Sequence, residues 1–339
     1  MELKIFSGTS NRELVVDIIN MLNKMSNLDY EIKNGSLFHH TFPSGEKYCQ
    51  FKENIRGSDV FLVQSPSSEI TNDLFMELLI MIDAAKRASA DRITAVMPMS
   101  FYTRQDRKDK SRVPISSRLC FDLLEKSGVD RILTMDLHAE QIVGFTNLPI
   151  DHLMFNPILI DYIKNEFCEE HNIKTENEFK SNVFLMAPDA GALKRIEKYA
   201  HSLNCEFGFI SKRRLNDECV ELQSLIGNVG GKHVVIIDDL TESFGTLKQA
   251  AQACKEQGAV SVTTAVTHCC VTQTGIDRMN ESLVEKIVDK IIFSDTISNE
   301  LLKESNIYTD SRFVTLGTSG LFAEAIFNIH TNKSISGLF

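Results

Sequence analysis

Asp238 and Asp239 are adjacent carboxylates that follow four aliphatic residues, Val234 to Ile237, and precede Thr241, Ser243, Gly245 and Thr246. Carboxylates accept hydrogen bonds from sugar hydroxyls, and the free amides of a loop that opens a helix hold a phosphate. Together they imply a sugar phosphate. A strand followed by an ordinary Asp or Thr N-cap would use the same residue types, so both readings stand for this stretch taken alone.

Three other places have residue types suited to chemistry. The segment FYTRQDRKDKSRVPISSRL sets Arg104, Arg107, Lys108, Lys110 and Arg112 within nine residues, interleaved with Gln105, Asp106 and Asp109. It is either a solvated charged face or a polyphosphate site, and its position after an apolar run favours a loop that carries function. MDLHAEQ delivers Asp136 and His138 at the end of another apolar run, where His138 is a structural histidine or a metal ligand. In TFPSGE the Pro-Ser-Gly centre makes a turn, and the turn also holds Phe42 and Glu46, which a turn does not require. Phe42 is then a core anchor or a surface with a task.

These residues need rigid elements behind them. Val234 to Ile237 has the unbroken β-branched character of a parallel strand covered on both faces. At its carboxyl end open α/β sheets place their ligands. Leu3 to Ser7, Val60 to Gln64, Arg92 to Pro98, Ile132 to Asp136, Val183 to Met186, Cys205 to Ile210 and Ser261 to Val266 read as further strands. Helical spacing over Asn11 to Met25 and over Asn72 to Ala90, the latter capped by Asn72 or Asp73, supplies helices between them. A helix over 157–167 follows, then EEHNIKTENEFKSN (169–182) and SKRRLNDE (211–218) read as loops, and APDAGALKR places Asp189 at a strand end. Strands alternating with helices in both halves predict an α/β protein of two doubly wound parallel-sheet domains. The boundaries fall at residues 1–155 and 156–330, with a tail, 331–339, docked on a domain.

The length of 339 residues suits about two domains. No run approaches the roughly 18 apolar residues of a membrane span, and MELKIFSGTS lacks a charged and then hydrophobic leader. The expectation is a cytoplasmic protein. Eight cysteines lie scattered without CxxC pairs, which argues against a zinc site and a disulfide framework. A net charge of −10 disfavours nucleic acid as a partner while leaving room for a locally basic pocket.

In order and spacing, KIFSGTSNREL, RGSDVFLVQS, YTRQDRKDKSRVPISSRL, TMDLHAEQIVGF, APDAGALKR and IIDDLTESFGT resemble the ribose-phosphate pyrophosphokinases, the PRPP synthetases, nearly end to end. The resemblance implies domains with the type I phosphoribosyltransferase fold. It also implies conversion of ATP and ribose 5-phosphate into AMP and 5-phosphoribosyl 1-pyrophosphate (PRPP) for nucleotide biosynthesis, with Mg²⁺, in a homo-oligomer, commonly a hexamer built from dimers. By the same resemblance Asp238, Asp239, Glu242, Ser243, Gly245 and Thr246 bind ribose 5-phosphate. Arg104, Gln105 and Asp109 bind ATP, joined by Phe42, Ser44 and Glu46 reaching the adenine of a neighbouring subunit. His138 and Asp189 hold metal, and Lys212 and Arg214 are the catalytic pair of a mobile loop. Arg56, Arg112, Ser334 and Ser336 match allosteric segments of regulated members.

Some positions depart from that pattern. Glu242, Ser243 and Phe244 replace the usual Asp, Thr and a small residue, Ala192 replaces a glycine, Cys269 and Cys270 follow Thr267-His268 in place of a Gly-Phe-Ser-Gly segment, and Asn54 replaces a frequent Ser. The alternative is a non-catalytic regulatory subunit. Such paralogues lose sugar-loop acids or carry insertions beside the mobile loop, whereas Asp238, Asp239, Gly245, Thr246, Lys212 and Arg214 are all present here. A phosphoribosyltransferase that consumes PRPP would share the Asp-Asp loop and leave YTRQDRK unexplained.

Overall fold

The computed structural model describes the backbone of residues 1–25, 29–67, 70–216 and 219–338, and the side chains of the same residues except 212–223. Two compact units emerge: Met1–Phe155 with Asp295–Ser298 and Gly317–Phe339, and Asn156–Ser294 with Asn299–Leu316.

In the first unit the strands are β1 (Leu3–Ser7), β2 (Leu37–Thr41), β3 (Lys47–Phe51), β4 (Asp59–Val63), β5 (Arg92–Met97), β6 (Arg131–Met135) and β7 (Ile150–Leu153). A parallel sheet runs in the order β1-β4-β5-β6-β7, and β2 pairs with β3 as a separate antiparallel hairpin. Every residue of β4, DVFLV, is buried, and after the charged Asp59 at its start the strand is apolar on both faces. The helix Thr71–Arg87 buries Leu74, Leu78, Met81 and Ala85 at the expected spacing. Its cap differs from the expectation. The helix begins one residue early, behind Ile70, and Asp73 instead lies in the first turn, where a negative charge complements the helix dipole.

Residues from the far end of the chain complete this unit. The helix Arg12–Met25, burying Leu14, Val15, Ile18 and Leu22, packs against the helix Ser319–His330. Behind them Asp59, fully buried, takes a two-pronged bond from Arg92 (Nε to Oδ1 2.8 Å) and a contact from His330 Nδ1 at 2.8 Å. Burial alone would raise the Asp59 carboxyl, but the bonds from Arg92 and His330 outweigh it and hold the group below the usual carboxylate range.

The second unit comprises β8 (Val183–Ala187), β9 (Glu206–Asn216), β10 (Cys219–Ile226), β11 (His233–Thr241), β12 (Ser261–Cys269), β13 (Lys290–Ser294) and β14 (Phe313–Leu316), in the sheet order β10-β9-β8-β11-β12-β13-β14. All pairs are parallel except β9 with β10. From β8 the chain winds outward through β9 and β10, then returns to the other side of β8 as β11. That reversal opens a crevice at the carboxyl ends of β8 and β11, where doubly wound sheets bind ligands.

Three sequence expectations change here. SKRRLNDE is not a loop over 211–216: β9 continues through it and pairs with β10, setting Lys212 opposite Leu222 and Arg214 opposite Val220. Gly208 permits this ribbon, because a Cβ there would lie 1.9 Å from the Ile226 carbonyl oxygen. Within 169–182, Glu176–Asn182 is a helix, opened by a capping box in which Glu178 N–H donates to Thr175 Oγ1 (3.2 Å) and Thr175 N–H to Glu178 Oε2 (3.0 Å). It buries Phe179, one apolar residue in a polar stretch. Finally, β11 does not end at Ile237 but runs through both aspartates to Thr241, paired with β12 as far as Cys269.

Candidate active site

Asp238 and Asp239 are the last acids of β11, on the crevice side of the switch point. Asp239 is the more deeply set, with 5% of its side chain exposed against 18% for Asp238. Asp189 follows β8 and caps the short turn Ala190–Ala192, accepting from the Gly191 N–H at 2.8 Å. Burial, then the charge of Asp239, push the Asp238 carboxyl well above the usual range; Asp189 adds to the push and Arg195 opposes it. Acids gathered this way are relieved by a cation or by hydroxyl donors.

The candidate anion cradle lies just beyond. The helix Gly245–Glu256 starts behind Phe244, which makes no side-chain cap, and the Gly245 N–H donates to Ser243 Oγ at 3.4 Å; a helix N-terminus of this kind suits an anion. Glu242, Ser243 and Thr246 are exposed around it. Phe244 makes the turn with φ +56°, unusual for a bulky residue, and its ring is fully buried in the core of the unit, away from the loop's outer face. Its N–H donates to Thr241 Oγ1 at 3.1 Å. The bulk that departs from the family pattern is thus an anchor beneath the cradle. Ala192 is equally well accommodated, since its φ of −83° needs no glycine. Cys269 is buried, its thiol pushed up to about 12 by desolvation.

In the first unit Arg104, Gln105, Asp109 and His138 line one cavity of about 200 Å³, together with Asp106, Arg107 and Pro114. The loop is pinned from both sides: Gln105 accepts from the Ser116 hydroxyl, and Gln141 donates to Asp106 Oδ2 at 3.1 Å. His138 therefore stands with the cationic segment that holds Arg104 and Arg107, whereas Asp189 stands with Asp238. Asp136, by contrast, is buried and accepts from the Phe155 N–H at 3.1 Å.

Phe42, Ser44 and Glu46 sit together in the turn between β2 and β3, with Ser44 donating to Glu46 at 2.8 Å. Phe42 is 43% exposed, so it is not a core anchor of its own chain. Phe38 and Tyr48 share its exposed face, with Tyr48 edge-on to both phenylalanines. Arg56, Arg112, Ser334 and Ser336 are exposed, Arg112 at φ +66°. The side chains of Lys212 and Arg214 lie outside the described residues; their backbone is in β9.

Sequence reasoning missed three contributors. Arg195 bridges the acid pair, and Arg278 donates to the Ser243 carbonyl at 3.1 Å, fixing the cradle from below. Gly275 lets the helix Gln273–Val284 approach, since a Cβ there would lie 2.3 Å from the Glu242 carbonyl oxygen. The only signal for Arg195 was its place in APDAGALKR.

A family model described as the N-terminal domain of ribose phosphate pyrophosphokinase matches residues 3–128. Another, described as the phosphoribosyl synthetase-associated domain, matches residues 216–339. A ribose-phosphate pyrophosphokinase of Chlorobaculum tepidum is 40% identical over 337 residues, spanning 99% of this chain and 95% of its own. One of Clostridium perfringens is also 40% identical over 337 residues, spanning 99% and 97%. Among solved structures, phosphoribosylpyrophosphate synthetase from Mycobacterium smegmatis matches with a TM-score of 0.83 at 32% identity, covering 98% of this chain and 100% of that one.

Proposed function

Because the chain belongs to the ribose-phosphate pyrophosphokinase family, its activity is transfer of the diphosphate of ATP to the C1 hydroxyl of ribose 5-phosphate, and we propose how its residues divide that work. The observation that supports the division best is the pair Asp238 and Asp239 at the switch point, directly ahead of a helix N-terminus. Asp238 and Asp239 accept hydrogen bonds from the ring hydroxyls. The amides and hydroxyls of Glu242, Ser243, Gly245 and Thr246 take the 5-phosphate. The cavity lined by Arg104, Gln105 and Asp109 takes the triphosphate of ATP, and Phe42, Ser44 and Glu46 take the adenine of a neighbouring subunit.

The C1 hydroxyl oxygen gives up its proton to solvent and bonds to the β-phosphorus as the bond from that phosphorus to the bridging oxygen of the AMP leaving group breaks. Negative charge then grows on the equatorial and leaving oxygens, so the protein's contribution is in-line positioning and electrostatic stabilisation. Lys212 and Arg214, on the β9–β10 ribbon, supply the cations.

A phosphotransferase using ATP calls for a metal, and Mg²⁺ fits the donor set. Asp189 offers one of the one or two carboxylates that this ion takes, and a cation there would offset the crowding among the acids that raises Asp238. His138, which lines the cavity with Arg104, Gln105 and Asp109, is the other residue that would help hold the ion, although an imidazole is a weaker match for Mg²⁺ than a carboxylate. When bound, the ion neutralises phosphate oxygens and fixes their geometry.

We further infer a homo-oligomer, a hexamer built from dimers, working in the cytoplasm without nucleic acid or membrane. Among the described residues no helix is long and apolar enough to cross a membrane. The exposed aromatic face around Phe42 supports the assembly. Incubation of the purified protein with Mg-ATP and ribose 5-phosphate should yield AMP and PRPP in equal amounts. Release of ADP, or AMP without PRPP, would overturn the reaction.

A further inference from the structure

Successive side chains on a strand point to opposite faces, so neighbouring Asp238 and Asp239 would not of themselves serve one ligand. Arg195 couples them. It lies on the helix Leu193–Leu203, which follows Asp189, and the pairing of β8 with β11 sets that helix beside the aspartates. One guanidinium nitrogen, Nη1, donates to Asp239 Oδ1 at 3.0 Å and lies 3.6 Å from Asp238 Oδ1. Its side chain is 16% exposed, so the contact is largely shielded from water. Charge-assisted bonds in such a setting are strong and directional.

The geometry points to Arg195 as a positioning residue for the sugar. By drawing both carboxylates toward a single nitrogen, it holds Asp239 in one orientation and brings the pair together at the carboxyl end of the strand, so that two neighbouring hydroxyls of one pentose can meet both acids. It acts on the sugar through the carboxylates and has no part in binding the nucleotide. The assignment rests on the reading of Asp238 and Asp239 as the sugar-hydroxyl acceptors.

The test is a mutant cycle: Arg195→Gln and Arg195→Lys, each alone and combined with Asp239→Asn, with KM for ribose 5-phosphate, KM for Mg-ATP and kcat measured separately, and thermal melts to check folding. Arg195→Gln should raise the ribose 5-phosphate KM on the order of tenfold while leaving the Mg-ATP KM nearly unchanged, and in the Asp239→Asn background the same change should add less than about threefold, the non-additivity of groups that act through one another. Arg195→Lys keeps the charge and should fall between wild type and Arg195→Gln, and it carries the cycle if the glutamine variant does not fold. Effects of Arg195 and Asp239 that simply multiply would remove the positioning role while leaving the sugar site standing. Equal rises in both KM values together with a lowered melting temperature would make Arg195 a structural residue. An unchanged ribose 5-phosphate KM in Asp239→Asn alone would overturn the sugar site itself, and this inference with it.

Discussion

A cation that meets charge developing on a transferring phosphoryl group is worth more in the transition state than in the bound substrates. On the proposed assignment, Lys212→Ala lowers kcat by about a hundredfold or more, on the order of 3 kcal/mol, with the ribose 5-phosphate KM within a few-fold of wild type. Steady-state kinetics at saturating ribose 5-phosphate read this directly, and a raised KM with an intact kcat would contradict it. At this scale the sequence was informative wherever a functional group sits in one unbroken segment. Asp238, Asp239 and the hydroxyls beyond them are contiguous, and so are Arg104, Gln105 and Asp109. Arg195 and Arg278 were not legible, because each reaches the site from a separate helix, and only the strand order brings those helices to the acids and the cradle.

Among the elements, the turn at Phe244 invites the sharpest test. A ring held in the core and a left-handed backbone oppose one another at that residue: burial favours the phenylalanine, and φ +56° would favour glycine. Phe244→Ala should cost about 3–5 kcal/mol of stability by urea unfolding, and Phe244→Gly about 1 kcal/mol less, since glycine is free of the left-handed penalty. An alanine variant as stable as the glycine variant would show that the backbone carries no strain. Elements with a clear hydrophobic period, such as Arg12–Met25 and Thr71–Arg87, were read to within about three residues at their ends. The β9–β10 ribbon and the helix Glu176–Asn182 escaped for a shared reason. Their cohesion comes from cross-strand pairing in one and a capping box in the other, neither of which leaves an apolar stripe.

Over the whole molecule, pH and assembly offer tests. The folded Asp59 carboxyl lies below its ordinary value, so its contribution is fully present above about pH 4, the unfolded value, and is lost as pH falls through the lower folded value. Asp59→Asn should therefore destabilise the protein at pH 7 by about 3 kcal/mol, the cost of leaving Arg92 without its buried partner. The gap from wild type should narrow as the solution is acidified below pH 4; a gap independent of pH in unfolding curves would rule the ion pair out. For assembly, Phe42→Ala/Glu46→Ala and Lys212→Ala, each inactive alone, should regain part of the activity when mixed under conditions of subunit exchange, if the β2–β3 turn serves a neighbouring chain. No recovery despite exchange would confine the turn to its own chain. The fold class was legible from the alternation of strands and helices, but the return of Gly317–Phe339 to the first unit was not, because nothing local in an apolar helix says which sheet it will cover. That return sets an order of events on the ribosome. The face of the first unit that receives Ser319–His330 stays uncovered, and Asp59 waits for His330, until translation has passed residue 330. The unit begun first is thus finished last, and a nascent chain halted after residue 155 carries an open apolar surface that a chaperone would have to shield.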